Sequence, residues 1–290
     1  MKILILTLYF EPDIGANATI ISGLAEELVS QGHEVTVVTS FPHYGENELK
    51  SSYRGKLISR EKMGEVDVVR TYLYTSQDKK KFWVRLLNYA SFNLLSTLAG
   101  IFSGDQDIIV APSPPLTIGL SAALIGFVKR IPYVYNVQDI NPDVLIKLGI
   151  LKNPLLIWFS KGLEKFVYRS ADHIVVLSEG FRQNLLGKGV RDQKISIIPN
   201  FIDAEFVRPL PKENQFREDH QLRGSFLVLY AGNLGHSQNL EDLIYCADQM
   251  RGDEQIQFLI VGNGSRKPFL QKLGRDLSLD NLKFVPFQPQ

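Results

Sequence analysis

The chain has 290 residues, of which 44% are hydrophobic, and a net charge of +1. This length and apolar content allow a large core and two domains. The balanced charge gives no bulk electrostatic reason to expect nucleic acid as a partner. The single cysteine, Cys246, excludes an intrachain disulfide framework and a cysteine metal cluster, and it fits a reducing cytoplasm.

The first part of the chain alternates short runs of β-branched residues with longer helical patterns. Several of the short runs are continuously apolar, which is typical of strands covered by helices on both faces of a parallel sheet. We predict strands at 3–8, 34–39, 66–72, 107–111, 133–137, 173–177 and 195–198, and helices at 16–31, 81–103, 116–129, 154–169 and 179–187. This order predicts a doubly wound α/β domain.

A charged, proline-marked segment follows residue 198 and is a candidate domain boundary. We place the boundary after residue 205, so that 1–205 form one domain and 206–290 another. The alternation then restarts, with strands predicted at 226–231, 257–261 and 282–285 and helices at 239–250 and 266–274. Because three parallel strands leave an apolar edge and an underpopulated face, we expect the second domain to be incomplete and the chain to be truncated.

Residues 82–102 form an apolar stretch long enough to span a bilayer. Arg85, Asn88 and Asn93 lie inside it, and polar groups within a membrane are costly. The basic run at 79–81 precedes it and suits an anionic interface. Three interpretations are therefore open: a buried or half-buried helix of the domain, an interfacial membrane contact, and a true span.

The predicted helix 154–169 raises the same question. It carries cations spaced four residues apart close to aromatic side chains, namely Lys161, Lys165 and Arg169 near Trp158 and Phe159. This combination suits a membrane surface, and a solvated charged face is the alternative.

Ligands of open parallel sheets bind outside the carboxyl ends of the strands, so the loops there are the places to search. Gly15 lies in the loop after the first strand, directly before a helix. It either lets the backbone approach an anion at the helix N-terminus or relieves a tight turn. This loop lacks the G-x-G-x-x-G of dinucleotide enzymes, and the G-x-G at Gly262 and Gly264 has no third glycine, so it is a weak fingerprint.

Polar side chains also follow two other strands. Asp139, Asn141 and Asp143 come after strand 133–137, which predicts carboxylates facing a cleft. They form either a polar acceptor site with a general base or an Asx turn that caps the next segment. His43 and Tyr44 form a second polar pair, after strand 34–39.

Several motifs together resemble the retaining glycosyltransferases of family 4, and within that family the bacterial enzymes of capsule, O-antigen and colanic acid assembly. They are YFEPDIGANAT, LVSQGHEVTVVTS, FPHYG, VQDINPD, IIPNFID, YAGNLGHSQNLEDLI and FLIVGNG. The resemblance implies the GT-B fold, in which two Rossmann-like domains face each other across a cleft. It also implies a UDP- or GDP-sugar donor, no metal or other cofactor, and a lipid-linked saccharide acceptor at the cytoplasmic face of the membrane.

The resemblance also implies roles for individual residues. The backbone at Gly15 would approach the donor diphosphate, and Gly232, Asn233, Gly235 and Gln238 would form the first loop of the donor domain. Gly262 and Gly264 would lie near the nucleotide base. Asn17, His43, Tyr44 and Asn141 would bind the acceptor, and Asp139 is the candidate catalytic base.

Two departures from the family pattern qualify this assignment. Asn233 and Gln238 stand where many relatives have an arginine and a lysine that grip the diphosphate, so the positive charge would be weaker or come from elsewhere. The family's E-x7-E element would lie beyond residue 290. The alternatives to a transferase are an inactive truncated remnant, a non-enzymatic module that binds acceptor or membrane, and a GT-B sugar-nucleotide epimerase.

Overall fold

The computed structural model describes residues 1–13, 15–43, 53–74 and 82–288, apart from the side chains of 82–86. The chain forms two compact units, Met1–Asp203 and Ala204–Gln290. The division lies close to the boundary predicted after residue 205.

The first unit is built on one sheet. Its strands are β1 (Lys2–Leu6), β2 (Glu34–Ser40), β3 (Ile58–Met63), β4 (Val66–Thr71), β5 (Ile108–Pro112), β6 (Tyr133–Val137), β7 (His173–Val176) and β8 (Ile195–Ile197). They form an eight-stranded sheet in the order β3-β4-β2-β1-β5-β6-β7-β8. All neighbours pair in parallel except β3 and β4. The predicted α/β class is therefore confirmed.

The sequence prediction missed β3. This strand reads ISREKM and alternates between exposed and half-buried positions. It lies at the edge of the sheet and pairs antiparallel with β4 alone. An edge strand tolerates charged side chains, which conceal the strand pattern in the sequence.

Helices cover both faces of this sheet. They are α1 (Ala16–Ser30), α2 (Phe82–Ile101), α3 (Ile118–Lys129), α4 (Asp143–Lys147), α5 (Pro154–Ser170) and α6 (Glu179–Gly187). Helix α1 packs on one face, where Ile21 meets Ile5 and Val37. Helices α2, α3 and α5 pack on the other face, around Phe92, Ile125 and Val167. This two-sided cover explains the continuously apolar strands. The short helix α4 was not predicted.

The second unit contains the three predicted strands. They are β9 (Phe226–Ala231), β10 (Ile256–Val261) and β11 (Leu282–Val285), parallel and in the order β11-β10-β9. Helices α7 (Gln215–Asp219), α8 (Glu241–Gln249) and α9 (Lys267–Asp276) accompany them. Leu222, just after α7, is fully buried with Leu259 and Val261. Part of the charged boundary segment thus covers one face of this sheet, which the sequence prediction left uncovered.

Candidate functional site

The loop after β1 and the first turn of α1 carry Gly15 and Asn17 at the carboxyl edge of the first sheet. Gly15 is the N-cap of α1, and its φ of 173° is extended backbone that any residue can adopt. Relief of a tight turn therefore does not require a glycine at this position. Asn17 lies half-buried in the first turn of the same helix. Glycine has no side chain to cap this turn, and the first N–H groups of a helix favour an anion.

A buried arginine that the sequence prediction did not identify connects this loop to its neighbours. Arg70 lies at the end of β4 and is fully buried. Its guanidinium donates to the backbone oxygen of Glu11 and, over 3.5 Å, to that of Ser40. It also pairs with the carboxylate of Glu61 on β3. Arg70 therefore joins the loop after β1 to the end of β2.

His43 belongs to a compact polar cluster on the same edge. Its backbone N–H donates to Asp13 Oδ1 at 2.8 Å, and its Nδ1 lies 3.0 Å from Ser40 Oγ. Its ring stacks on Tyr9 with centroids 5.4 Å apart. Asp13 is almost completely buried and was missed by the sequence analysis, although it lies in the loop singled out for Gly15. The structure thus brings His43 close to that loop, while Tyr44 lies outside the described residues.

The end of β6 places Asp139 and Asn141 on the same carboxyl edge, two strands from β1 in the sheet. Asp139 as a whole is exposed, but desolvation by partial burial raises the pKa of its carboxyl. A raised pKa brings a carboxylate closer to the range useful for a general base. The N-cap position of helix α4 is Pro142 rather than Asn141.

Asp143, which the sequence analysis expected to face a cleft, is engaged by side chains from another helix. Its carboxylate pairs with Lys188 Nζ at 2.8 Å and accepts a 3.3 Å hydrogen bond from Asn184, both from the region of α6. Burial opposes ionisation of Asp143, but the bonds from Lys188 and Asn184 lower its pKa overall. Lys188 also pairs with the buried Glu164, whose pKa is raised because desolvation outweighs this pairing. The cluster holds α4 against α5 and α6.

A further polar set missed by the sequence analysis lies beside Asp139. The backbone N–H of Gln138 donates to Ser113 Oγ at 3.1 Å, and its side-chain oxygen accepts from Asn200 at 2.9 Å. Its amide nitrogen reaches Asn136 Oδ1 at 3.1 Å. These residues come from three separate segments, so only the folded chain brings them together.

In the second unit, glycines allow the loops after β9 and β10 to pack backbone against backbone. A Cβ on Gly262 would lie 2.0 Å from the oxygen of Gly232, and one on Gly264 would lie 2.3 Å from the oxygen of Leu234. The Leu234 N–H donates to the Asn263 oxygen at 2.9 Å. The weak G-x-G signal therefore has a definite structural meaning, since it permits this close approach.

The predicted donor residues lie together in the loop after β9. Gln238 folds back, and its side-chain oxygen accepts a 3.1 Å hydrogen bond from the Gly235 N–H. The hydroxyl of Tyr230 donates to the Asn233 oxygen at 2.8 Å. A Cβ on Gly235 would lie within 3.1 Å of both the Gln238 and the Asn233 side chains. The loop is thus held by its own amide side chains.

The helix after this loop begins later than predicted and has an acidic start. Helix α8 starts at Glu241 rather than residue 239, and Glu241 and Asp242 occupy its first turn. Glu241 pairs with Arg266. Two carboxylates at a helix N-terminus oppose the binding of a further anion there, so the expected dipole contribution at this helix is weakened.

Lys267, which the sequence analysis did not single out, supplies a cation at this edge. It is the first residue of α9, and its Nζ donates to the Gly262 oxygen at 3.0 Å and to Asn263 Oδ1 at 2.9 Å. Among the described residues, no carboxylate lies within ion-pair distance of it. Because Gly262 packs directly on Gly232, the Lys267 ammonium lies beside the loop that carries the candidate donor residues.

The described residues contain neither a metal-binding cluster nor a membrane-spanning helix. No group of three or more His, Cys, Asp or Glu side chains in these ranges is arranged to hold a metal ion. None of the helices in the described ranges, α2 included, is long and apolar enough to cross a membrane.

Fold and family together define the class of protein. Residues 15–200 match the family described as glycosyl transferase 4-like domain, so the chain belongs to that family and is a glycosyltransferase. The chain is similar to WcaI of Escherichia coli K12, named as a colanic acid biosynthesis glycosyl transferase. The two are 27% identical over 99% of this chain and 72% of WcaI.

Solved structures show the same fold. HepE of Anabaena in complex with UDP-glucose aligns with 100% of this chain and 70% of its own, at a TM-score of 0.67 and 17% identity. WaaG, a glycosyltransferase involved in lipopolysaccharide biosynthesis, aligns with 99% of this chain and 70% of its own, at a TM-score of 0.67 and 13% identity. The predicted GT-B fold and the family 4 resemblance are confirmed.

Proposed function

We propose that this glycosyltransferase moves a hexosyl group from a UDP- or GDP-sugar to a lipid-linked saccharide during the synthesis of a cell-surface polysaccharide, with retention of configuration and without a metal. The observation that carries the proposal is the pair of closely packed glycine loops after β9 and β10, which leaves backbone and amide groups at the carboxyl edge of the second sheet. Such edges bind nucleotides in Rossmann-like domains. The similarity to HepE, solved with UDP-glucose, supports a nucleotide-sugar donor.

The diphosphate leaving group needs positive charge, and the loop after β9 contains no lysine or arginine. Asn233 and Gln238 are neutral, and Arg266 is engaged with Glu241. Lys267 is the cation that the geometry offers, because its ammonium is held against Gly262 by two hydrogen bonds. A lysine at this place would interact with a phosphate as a point charge.

The acceptor would bind along the carboxyl edge of the first sheet. Asn17, His43 and Asn141 are polar residues that follow β1, β2 and β6 on that edge, and Tyr44 is assigned there by family resemblance. Asp139, with its raised pKa, would receive the proton of the attacking hydroxyl, or the departing phosphate oxygen would take it. A lipid-linked acceptor would place the protein at the cytoplasmic face of the plasma membrane.

Calorimetric titration with uridine, UDP, guanosine and GDP tests the donor assignment. The expected result is tighter binding of one nucleoside diphosphate than of its nucleoside, with a smaller difference in Lys267→Met. Lys272→Met is the matched control, because Lys272 is exposed on the same helix. Equal binding of nucleoside and nucleoside diphosphate by the unaltered chain would refute a diphosphate site.

A transfer assay tests the reaction itself. Radiolabelled UDP- and GDP-sugars are incubated with a membrane lipid extract, and the anomeric configuration of the product is read by NMR. Transfer with retained configuration supports the proposal. Conversion of the free nucleotide sugar to its epimer without transfer would favour the epimerase alternative.

A further inference from the structure

Three helices of the first unit form a continuous layer over one face of its sheet. Helices α2 and α3 are joined by Asn93, whose side chain donates to Thr117 Oγ1 at 2.8 Å and accepts from Ser121 at 3.1 Å. Helices α3 and α5 meet at Gly119, where an added Cβ would lie 2.4 Å from Val167. The three helices therefore lie side by side, and their outer surfaces face away from the sheet.

The outer surface of this layer carries large apolar side chains. Phe127 on α3 is 82% exposed and Trp158 on α5 is 76% exposed. Further exposed side chains lie on all three helices, and we define the outer apolar face by six of them: Leu94, Leu124, Phe127, Trp158, Phe159 and Phe166. Single exposed apolar residues are ordinary, but a set of aromatic and aliphatic residues on adjoining helices marks an interaction surface.

The charges around this face have one sign. The sequences of α2, α3 and α5 contain a single acidic residue, Glu164, which is buried and paired with Lys188. The exposed charged residues of α5 are all cations, namely Lys161, Lys165 and Arg169. The outer apolar face is therefore bordered by basic residues, and the three helices that form it contribute no exposed carboxylate.

We infer that the outer apolar face docks on an anionic phospholipid surface. Aromatic side chains insert at the boundary between headgroups and acyl chains, and basic residues beside them pair with anionic headgroups. A second copy of the same face fits poorly, because it would bring Lys161, Lys165 and Arg169 against their own counterparts. The inference names the membrane partner of the proposed transferase. Only the biological purpose of this docking rests on the proposed function, because the apolar and charged residues of the face are separate from the residues of the donor site.

Vesicle co-sedimentation tests this surface. The unaltered chain is expected to bind vesicles of equimolar phosphatidylglycerol and phosphatidylcholine more tightly than vesicles of phosphatidylcholine alone. Phe127→Ser and Trp158→Ser should each lower the partition coefficient about tenfold, because each removes one inserted aromatic ring. Lys165→Gln should lower it about fivefold on anionic vesicles and leave binding to neutral vesicles unchanged.

Leu57→Ser is the matched control, because Leu57 is an exposed apolar residue of the same unit outside this face. All variants should unfold at the temperature of the unaltered chain, since the altered side chains are exposed. Unchanged vesicle binding by both aromatic variants would overturn the inference. If the unaltered chain forms a dimer and both aromatic variants are monomeric, the face binds a second copy of the chain, and the inference is also overturned. UDP or GDP titration of the same variants separates the two proposals, since the docking surface can fail while nucleotide binding persists.

Discussion

The packing of the second unit makes a sharp prediction for Gly264→Ala. The added Cβ would lie 2.3, 2.5 and 2.6 Å from the oxygen, carbon and nitrogen of Leu234. Ordinary contact begins about 1 Å further out, so one backbone segment must move. Leu234 cannot move freely, because it donates to the Asn263 oxygen and accepts from Arg266, both at 2.9 Å. Overpacking costs about 1–3 kcal/mol and each weakened hydrogen bond about 1 kcal/mol, so we expect a loss of about 2–4 kcal/mol.

Gly252→Ala is the matched control in the same unit. No heavy atom lies within 4 Å of a Cβ at Gly252, and its φ is not in the left-handed region. This substitution should be neutral or stabilise by about 0.4–1 kcal/mol through the unfolded state. The pair thus separates a general effect of replacing glycine from the specific collision at Gly264.

Hydrogen exchange is the suitable assay for Gly264→Ala, because both tryptophans, Trp83 and Trp158, belong to the first unit and their fluorescence reports on that unit. Amides of β9 and β10 should exchange faster in Gly264→Ala than in Gly252→Ala, while the tryptophan transition in urea stays unchanged. Weaker binding of UDP or GDP should accompany the change. Equal protection in the two variants would show that the loops separate easily and would refute the packing argument.

Three further predictions concern the first unit and are checked by urea unfolding followed by tryptophan fluorescence. Asp139→Asn should stabilise the fold at about pH 7, because the raised pKa means that the ionised carboxylate destabilises the folded state and the substituted amide would carry no charge. This gain in stability should vanish below the ordinary pKa of 3.8, where Asp139 is protonated in both states. Transfer activity should fall if this carboxylate is the base. Lys188→Met should cost about 3 kcal/mol by leaving Glu164 buried without its counter-ion, and less at acid pH, where Glu164 is protonated. Arg70→Met should cost about 3 kcal/mol because backbone oxygens and the Glu61 carboxylate lose their shared donor, and Arg70→Lys should recover only part of this. A loss under about 0.5 kcal/mol in either cation variant would contradict these assignments.

Local patterns determined most of the secondary structure of this protein. The short runs rich in apolar and β-branched residues predict strands 133–137, 226–231 and 282–285 with the bounds that the structure has, and the helical pattern does the same for helix 179–187. These elements belong to a repeating βα order, in which hydrophobic period and turn residues agree. The edge strand β3 and the short helices α4 and α7 escaped prediction, because short or one-sided elements carry too few buried residues to show a period.

The sequence by itself also determined where the candidate sites would be sought, since Gly15, His43, Asp139 and the loop from Gly232 all follow predicted strands at a carboxyl edge. Only the tertiary structure decided which polar side chains are available there. Asp143 and Lys188 are distant in sequence, yet their contact engages this carboxylate in an ion pair. Such pairings depend on sheet order and on the way helices cross the strands, which leave no local period in the sequence. For the same reason, the spacing of Gly262 and Gly264 was ambiguous in the sequence, and only the structure shows that these glycines pack against the loop from Gly232. That loop lacks a lysine or arginine, and only the fold brings Lys267 beside it.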